Sequence, residues 1–270
     1  MGPIYENQWV SLYQGDCLEI MPELDIKFDA CITDPPYGTT SCKWDVIIPF
    51  KPIWDNLKRL IKSNGAICLF GSEPFSSLLR CSNLEMFKYD WVYRKQQGTG
   101  FLNAKKQPLR IYEIISIFYR QQPQYNPQKI QLKEQKLKGI LTRKKKSSLP
   151  DNCYRQDLEY NPCWKDDCTR YPVNILENMY DPGRFDSSKD IKSWRLHPTQ
   201  KPVPLIEYLI KTYTQEGEIV LDFTAGSGTT GVAAMETNRK AVLIEKDEKY
   251  CEITINRLKD KEKEIAARLF

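Results

Sequence analysis

A glycine-rich turn near the C-terminal end of the chain is the feature that most constrains its fold. Residues 222–231 read Asp-Phe-Thr-Ala-Gly-Ser-Gly-Thr-Thr-Gly and follow a short apolar run. A strand that enters such a turn and continues into a helix brings bare backbone and helix N–H groups close to a ligand. Glu245 ends the next predicted strand, where its carboxylate can accept hydrogen bonds from ribose hydroxyls. The pattern predicts a site for an adenosine-containing cofactor, with these candidate residues: Asp222, Phe223, Ala225, Gly226, Ser227, Gly228, Thr229 and Glu245.

The position of this turn also predicts where the other strands come from. The sequence leaves room for about one helix after Glu245, so the strands that complete the sheet are expected to be N-terminal. Apolar runs predict strands at Trp9–Tyr13, Phe28–Thr33, Ala66–Phe70, Trp91–Tyr93, Ile114–Tyr119, Glu218–Asp222 and Ala241–Glu245. Helical spacing predicts helices at Phe50–Lys62, Pro74–Cys81, Val203–Tyr213, Thr229–Thr237 and Tyr250–Leu269. We therefore predict an α/β fold with a Rossmann-like, doubly wound and circularly permuted sheet.

Asp34-Pro35-Pro36-Tyr37 directly follows the predicted strand Phe28–Thr33 and has the groups needed to hold an exocyclic amine. Pro35 restricts Asp34 to an extended conformation, and neither proline has an N–H, so acceptors are concentrated at the strand end. The carboxylate and the Pro35 carbonyl can accept both hydrogens of an NH2 group, while Tyr37 offers a flat face to the attached ring. These four residues are the predicted catalytic residues at a nucleobase amine. By themselves they are equally compatible with a Pro-Pro turn that ends a strand.

The middle of the chain differs in composition from its flanks. Residues 121–198 hold 15 Lys or Arg against 10 Asp or Glu, a surplus equal to the net charge of +5 for the whole chain. No long helical or alternating apolar spacing is present there. We predict residues 1–120 as the catalytic half of one domain, 121–196 as an inserted recognition lobe and 197–270 as the cofactor-binding half. Within the lobe, the nucleic-acid-binding candidates are Arg143, Lys144, Lys145 and Lys146, although a solvated charged face is the more common explanation of such a run by itself.

Composition argues against several other classes of protein. No apolar stretch approaches the roughly 20 residues of a membrane span, and the N-terminus lacks a signal-peptide pattern, so a cytoplasmic protein without a membrane partner is expected. The nine cysteines include no C-x-x-C pair, which favours reduced thiols over a disulfide framework. Cys153, Cys163 and Cys168 form a cluster, but a zinc site would need a fourth ligand and His197 is the single histidine. No metal is therefore predicted.

Taken together, these motifs resemble those of the β-class DNA amino-methyltransferases, which use S-adenosylmethionine, and the resemblance covers nearly the whole chain. Asp34–Tyr37 resembles the catalytic motif of that family, and Asp222–Gly228 resembles its cofactor loop. Glu245 resembles its ribose-binding acid. The resemblance implies two more cofactor-contacting elements. Their residues here are Asp16 and Cys17 at the adenine ring, and His197, Thr199 and Lys201 at the methionine end.

A further segment resembles the part of the family that lies near the target base. It spans Gly100–Arg110 and makes Lys105, Lys106 and Arg110 DNA-binding candidates. Just after it, Tyr112-Glu113 stands where His-Glu is expected, so a histidine role is not carried over to this chain.

The resemblance also implies a reaction. Asp34 at the first position of the catalytic motif resembles adenine-N6 enzymes more than cytosine-N4 enzymes, so we expect site-specific methyl transfer to N6 of a flipped-out adenine in DNA by direct displacement. A cytosine-C5 enzyme is disfavoured, because that chemistry needs a cysteine nucleophile and only Pro162-Cys163 approaches the required setting. The partners left open are a homodimer and a cognate restriction enzyme, or a phage or orphan role without a nuclease.

Other functions remain open at this stage. A methyltransferase of RNA or of a protein side chain would have both motifs. The acceptor groups of Asp34–Tyr37, called the Asp34 hook below, suit any planar amine. Gly226, Gly228 and Gly231 also satisfy G-x-G-x-x-G, so a nicotinamide-dependent oxidoreductase is an alternative, in which the Asp34 hook would have no purpose. A nucleic-acid-binding module with an inactive cofactor fold is the last alternative, and the intact Asp34, Tyr37 and Gly226 argue against it.

Overall fold

The computed structural model describes residues 2–40, 42, 45–131, 169–181 and 200–268. The chain forms two compact units, one of residues 1–126 and 174–270 and one of residues 127–173. The predicted lobe at 121–196 stays a prediction, because most of it lies outside the described residues. The same is true of the basic run Arg143–Lys146 and of the cluster Cys153, Cys163 and Cys168.

The helices and strands are numbered here in chain order. The described strands are β1 (Tyr5–Glu6), β2 (Val10–Gln14), β3 (Phe28–Thr33), β4 (Ile61–Gly71), β5 (Phe87–Thr99), β6 (Arg110–Phe118), β7 (Ile130–Gln131), β8 (Thr169–Arg170), β9 (Ile175–Leu176), β10 (Ile219–Asp222) and β11 (Lys240–Glu245). The described α-helices are α1 (Cys17–Glu23), α2 (Phe50–Leu60), α3 (Phe75–Cys81), α4 (Val203–Tyr213), α5 (Thr229–Glu236) and α6 (Glu248–Ala267). The smaller unit contains the antiparallel pair β7 and β8.

The main sheet has the strand order β1-β2-β11-β10-β3-β4-β6-β5-β9. Strands β2, β11, β10, β3 and β4 are parallel to their neighbours in this series, and β6 is antiparallel to β4 and β5. Strands β10 and β11 come from the C-terminal part of the chain but lie between β2 and β3 from the N-terminal part. The predicted circular permutation is therefore confirmed.

Helices cover both faces of this sheet. Ala30 and Ile32 of β3 belong to a buried cluster with α4, α5 and α6, whereas Cys31 belongs to a second cluster with α1, α2 and α3. Since successive strand residues point to opposite faces, the two helix groups lie on opposite sides of the sheet. Apolar residues on both faces explain why β3 reads as a nearly continuous apolar run. The predicted doubly wound α/β fold is confirmed.

The largest difference from the predicted elements is at β5, which was predicted as Trp91–Tyr93 and spans Phe87–Thr99 because its pairing with β6 continues over exposed residues. Further differences lie near β4 and α1. The predicted helix Phe50–Lys62 ends at Leu60, and β4 begins at once with Ile61, which pairs with Phe28 of β3. Tertiary pairing thus ends the helix earlier than its own spacing indicates. Helix α1 was not predicted, because it has only seven residues and contains Pro22. Among the described residues, no helix is both long and apolar enough to cross a membrane.

Candidate active site

One cavity lies at the carboxyl ends of the parallel strands and joins the two ends of the chain. Its volume is about 750 Å³, within the range of roughly 300–1,000 Å³ that is common for small-molecule sites. The predicted site residues that line it are Asp16, Cys17, Asp34, Pro35, Pro36, Tyr37, Lys201, Asp222, Phe223, Ala225, Gly226, Ser227, Thr229 and Glu245. Gly228 instead packs behind the turn, where a Cβ atom would lie 2.5 Å from Cγ2 of Thr254.

Hydrogen bonds between neighbouring strand ends hold the two halves of the cavity together. Thr33, at the end of β3, donates through Oγ1 to Oδ1 of Asp222 at 3.2 Å and accepts from the Phe223 N–H at 3.2 Å. Thr224 Oγ1 donates to the backbone oxygen of Asp34 at 3.1 Å. The Asp-Pro-Pro-Tyr segment is therefore positioned by the glycine-rich turn, although the two segments are far apart in sequence.

Asp222 organises the turn through its side chain. Its Oδ1 also accepts from the Thr224 N–H at 3.2 Å, and its Oδ2 accepts from Thr230 Oγ1 at 2.6 Å. Burial raises the pKa of Asp222 to about 7, against the lowering effect of these hydrogen bonds. Because its polar atoms are used inside the protein, Asp222 holds the shape of the cavity wall.

Asp34 is bonded through both of its carboxylate oxygens. Tyr37 donates its hydroxyl to Oδ1, and the Lys201 ammonium contacts Oδ2 in an ion pair. Burial raises the pKa of Asp34, and Lys201 opposes this effect by favouring the charged carboxylate. Lys201, predicted to bind the cofactor, is here a direct partner of the predicted catalytic acid.

Glu113 extends this ion pair into a buried chain of alternating charges. Its Oε2 lies 3.2 Å from Nζ of Lys201, and its Oε1 lies 3.3 Å from Nζ of Lys95 on β5. Burial acts to raise the pKa of Glu113, but Lys201 and Lys95 outweigh it, so this pKa is lowered. In the sequence, Tyr112-Glu113 was notable only because a tyrosine stands where a histidine is expected. In the structure, it is Glu113 that lines the cavity.

The Tyr37 ring is fixed by packing on one side. It stacks against Phe75 of α3, with ring centroids 5.2 Å apart and an interplanar angle of 29°. The Lys201 Nζ lies 5.8 Å from the Tyr37 ring centroid and 5.2 Å from that of Phe70. Rigid packing keeps the tyrosine hydroxyl directed at the Asp34 carboxylate.

Asp45 shapes the segment that follows the motif. Its carboxylate accepts four backbone N–H groups, from Tyr37, Gly38, Thr39 and Thr40, at distances of 2.6–2.9 Å. These bonds help to lower the pKa of Asp45 despite its partial burial. Thr39 and Thr40 also line the cavity, so Asp45 sets the path of the chain along one wall.

The other end of the cavity presents two carboxylates. Glu245 accepts from the Gly226 N–H at 2.7 Å and from the Asp247 N–H at 2.8 Å. Burial raises the pKa of Glu245, while these backbone bonds favour its charged form. Asp16 caps α1 by accepting from the Leu18 N–H at 2.9 Å. Both side chains are held by the backbone while they line the cavity.

Arg257 on α6 supports the glycine-rich turn, and sequence reasoning missed it. Its guanidinium donates to the backbone oxygen of Ser227, to Ser227 Oγ at 3.1 Å and to Thr229 Oγ1 at 3.3 Å. Burial lowers the pKa of Arg257 to about 10, which leaves it protonated at neutral pH. No local pattern identifies it, because a single arginine on an amphipathic helix is usually solvated.

The remaining predicted residues fall into two groups. Lys105, Lys106 and Arg110 lie on the hairpin of β5 and β6 and are exposed. His197 and Thr199 lie outside the described residues. Among the residues that the structure does describe, no group of three or more His, Cys, Asp and Glu side chains could hold a metal ion.

Comparison with protein families and curated proteins identifies the group that this chain resembles. A family model described as DNA methylase, for the N6 and N4 enzymes, matches residues 28–256. The DNA adenine methyltransferase YhdJ of Escherichia coli K12 is 25% identical over 94% of this chain and 84% of its own length. The Type II methyltransferase M2.DpnII of Streptococcus pneumoniae is 41% identical, over 32% of each chain.

Solved structures share the fold at lower identity. The M1.HpyAVI complex with SAM has a TM-score of 0.60 and 22% identity, and the match covers 92% of this chain and 98% of that chain. The PvuII DNA methyltransferase, described as cytosine-N4-specific, has a TM-score of 0.65 and 15% identity over 96% of this chain and 93% of that chain. At these identities the likeness shows a shared fold.

Proposed function

Because the chain belongs to the N6/N4 DNA methylase family, we propose that it transfers a methyl group from S-adenosylmethionine to N6 of adenine in DNA. Family membership confirms the predicted DNA amino-methyltransferase and its cofactor. The choice of adenine is supported by Asp34 at the start of the catalytic motif and by the name of the relative that aligns over most of this chain. The observation that carries the proposal is that the Asp34 hook and the glycine-rich turn line the same cavity.

The cavity fits the cofactor on structural grounds. A Cβ atom at Gly226, where φ is +54°, would meet nothing within 4 Å, so the bare backbone borders open space. Glu245 has a largely buried carboxylate and Asp16 has one that caps a helix. Both can accept hydrogen bonds from hydroxyl and amine donors. We assign the ribose to Glu245, the adenine ring to the segment of Asp16 and Cys17, and the methionine end to the side of the cavity near Ser227. When bound, the cofactor supplies an electrophilic methyl group on a sulfonium.

The chain's own residues orient the base amine. Asp34 accepts a hydrogen bond from the amine N–H, which favours a pyramidal nitrogen whose lone pair is no longer delocalised into the ring and can attack the methyl group. The same carboxylate is placed to take the proton that the nitrogen loses. Positioning is the larger contribution, since alignment of two reactants can remove about 7–11 kcal/mol of a barrier. The target atom is inaccessible inside a duplex, so the base must be flipped out before it reaches Tyr37.

DNA is the proposed partner, and we assign its phosphate contacts to Lys105, Lys106, Arg110 and the basic run Arg143–Lys146. We further propose a cytoplasmic protein. The proposed partners also include a second copy of the chain and a cognate restriction enzyme, and the name of the Type II relative supports the enzyme. The alternative to a restriction partner is a phage or orphan role without a nuclease.

One assay tests the proposed function. The protein is incubated with labelled S-adenosylmethionine and unmethylated genomic DNA, and the DNA is digested to nucleosides and analysed by mass spectrometry. We expect label in N6-methyldeoxyadenosine. Label in N4-methyldeoxycytidine would replace adenine with cytosine, and label only in added RNA or protein would overturn the DNA assignment. Binding of a nicotinamide cofactor without any transfer would favour an oxidoreductase.

Lys201→Met is expected to change the pH dependence of methyl transfer. Removal of the ammonium leaves burial to raise the pKa of Asp34 further. Because the carboxylate form accepts the amine hydrogen, the acidic limb of the kcat profile should move to higher pH, with the greatest loss of rate at low pH.

Two controls accompany this measurement. Lys201→Arg retains the charge and should leave the acidic limb near that of the wild type. Lys211→Met removes a lysine whose ion pair with Glu207 is partly solvated, and it should leave the profile unchanged. An unshifted limb in a folded Lys201→Met protein would contradict the role of Lys201.

A further inference from the structure

Strands β5 and β6 form a hairpin that extends beyond the catalytic edge of the sheet. The pairing of β4 with β6 ends where Gly71 faces Ile114. Strands β5 and β6 pair beyond that point, with a register shift between Arg94 and Thr99, and their last pair is Thr99 with Arg110. The four residue steps from Ile114 to Arg110 cover roughly 13 Å along the strand. Glu113, at the base of this extension, lines the cavity. The hairpin therefore projects from the wall of the catalytic site.

Its tip carries two large apolar side chains in solvent. Phe101 is 79% exposed and Leu102 is 96% exposed, the two highest values for large apolar residues in the described part of the chain. They lie in a 3-10 turn that follows Gly100, whose φ of +90° favours glycine. Neither side chain contributes to the core of the unit that carries it. Exposure of this kind marks an interaction surface more often than a structural need.

The hairpin is also strongly basic. Residues 94–112 contain five Lys or Arg and no Asp or Glu. Arg94 and Lys95, near the base, form ion pairs with Glu177 and Glu113, whereas the charges nearest the tip are the exposed Lys105 and Lys106. A polyanion that also offers apolar surface fits this arrangement, and duplex DNA does so when a base pair is opened.

We propose that Phe101 and Leu102 insert into the base stack of duplex DNA beside the target base, while Lys105 and Lys106 contact the flanking phosphates. This inference rests on the proposed function, because a base that leaves the stack creates the gap that apolar side chains fill. The hairpin projects from the cavity wall that holds the Asp34 ion pairs, so its tip meets the same DNA that delivers the base. An anionic membrane surface would also bind a basic apolar tip. The experiment described next distinguishes membrane binding from DNA insertion.

The test compares duplexes that differ only in the cost of opening the target pair. The methylated site is first read from genomic DNA treated with the wild-type protein. Two synthetic duplexes then carry that site, one fully paired and one with an abasic position opposite the target base. The variant is Phe101→Ala with Leu102→Ala, and the control is Leu84→Ala, since Leu84 is 65% exposed and precedes the other end of β5.

We expect the double variant to lose about tenfold or more in kcat/KM on the paired duplex, because opening a pair costs a few kcal/mol. On the abasic duplex it should approach the wild type, and Leu84→Ala should match the wild type on both. Cofactor binding by calorimetry should be unchanged.

Each other outcome overturns the inference. Equal rates for the double variant and the wild type on the paired duplex would remove the insertion, and equal losses on both duplexes would assign the side chains to general DNA binding. Retained methylation with lost binding to phosphatidylserine vesicles would assign the tip to a membrane. A wild-type protein that methylates no DNA would instead refute the proposed function.

Discussion

Asp34→Ala is expected to abolish methyl transfer while the cofactor still binds. The substitution removes the acceptor to which Tyr37 and Lys201 are directed, so the amine loses both its orientation and its hydrogen-bond partner. We expect kcat to fall by at least about 10³-fold, the scale seen when a preorganised group is removed from an active site. The measurement is single-turnover transfer to unmethylated DNA, with cofactor affinity determined by calorimetry.

The control for this variant is Asp55→Ala. Asp55 forms an exposed ion pair with Lys51 on α2, and such pairs contribute little to stability. This control should retain the wild-type rate. Because Asp34→Ala also leaves the buried Lys201 without one of its partners, Asp34→Asn serves as a second variant of nearly the same shape. Wild-type rates in both folded Asp34 variants would remove Asp34 from the mechanism.

Glu245→Gln is expected to weaken cofactor binding with little effect on DNA binding. Both oxygens of Glu245 accept backbone N–H groups at the turn, and its charge is the feature that suits ribose hydroxyls. Loss of a hydrogen bond to a charged acceptor costs about 1.5–3 kcal/mol, which corresponds to a rise in the cofactor Kd of about 10–150-fold. Calorimetry with S-adenosylmethionine measures this change.

Glu248→Gln provides the matched control, since Glu248 is exposed in the first turn of α6. Its Kd should equal that of the wild type. Saturating cofactor should restore much of the rate in Glu245→Gln, because Glu245 lies away from the Asp34 hook. An unchanged Kd in Glu245→Gln would separate this acid from the cofactor site.

Much of the fold was predictable because the central strands β3, β10 and β11 are short, buried and strongly apolar. Strand β3 and helix α4 have the predicted bounds, and in both the pattern of apolar residues agrees with tertiary burial. The start of β4 was missed, because its pairing with β3 begins immediately after α2. Lys201 was predicted through a resemblance, but its partners Asp34 and Glu113 were not.

The local chemistry of the site could be predicted from the order of its residues alone. Two prolines after Asp34 restrict the backbone, and the glycines of the 222–231 turn permit conformations that other residues rarely adopt, so the Asp34 hook and the cofactor turn could be recognised without coordinates. The sequence also predicted the permuted strand order, which the position of β10 and β11 between β2 and β3 confirms.

The contacts that join the Asp34 hook to the cofactor turn could be seen only in the folded chain. Parallel pairing of β3 with β10 brings Thr33 beside Asp222, and Lys201 reaches Asp34 across 167 residues of sequence. Such contacts depend on which strand ends become neighbours and on side-chain burial, which removes the water that would otherwise screen the charges. For that reason, the sequence did not predict the chain of ion pairs from Asp34 to Lys95 or the exposed apolar tip of the hairpin, and both were seen only in the structure.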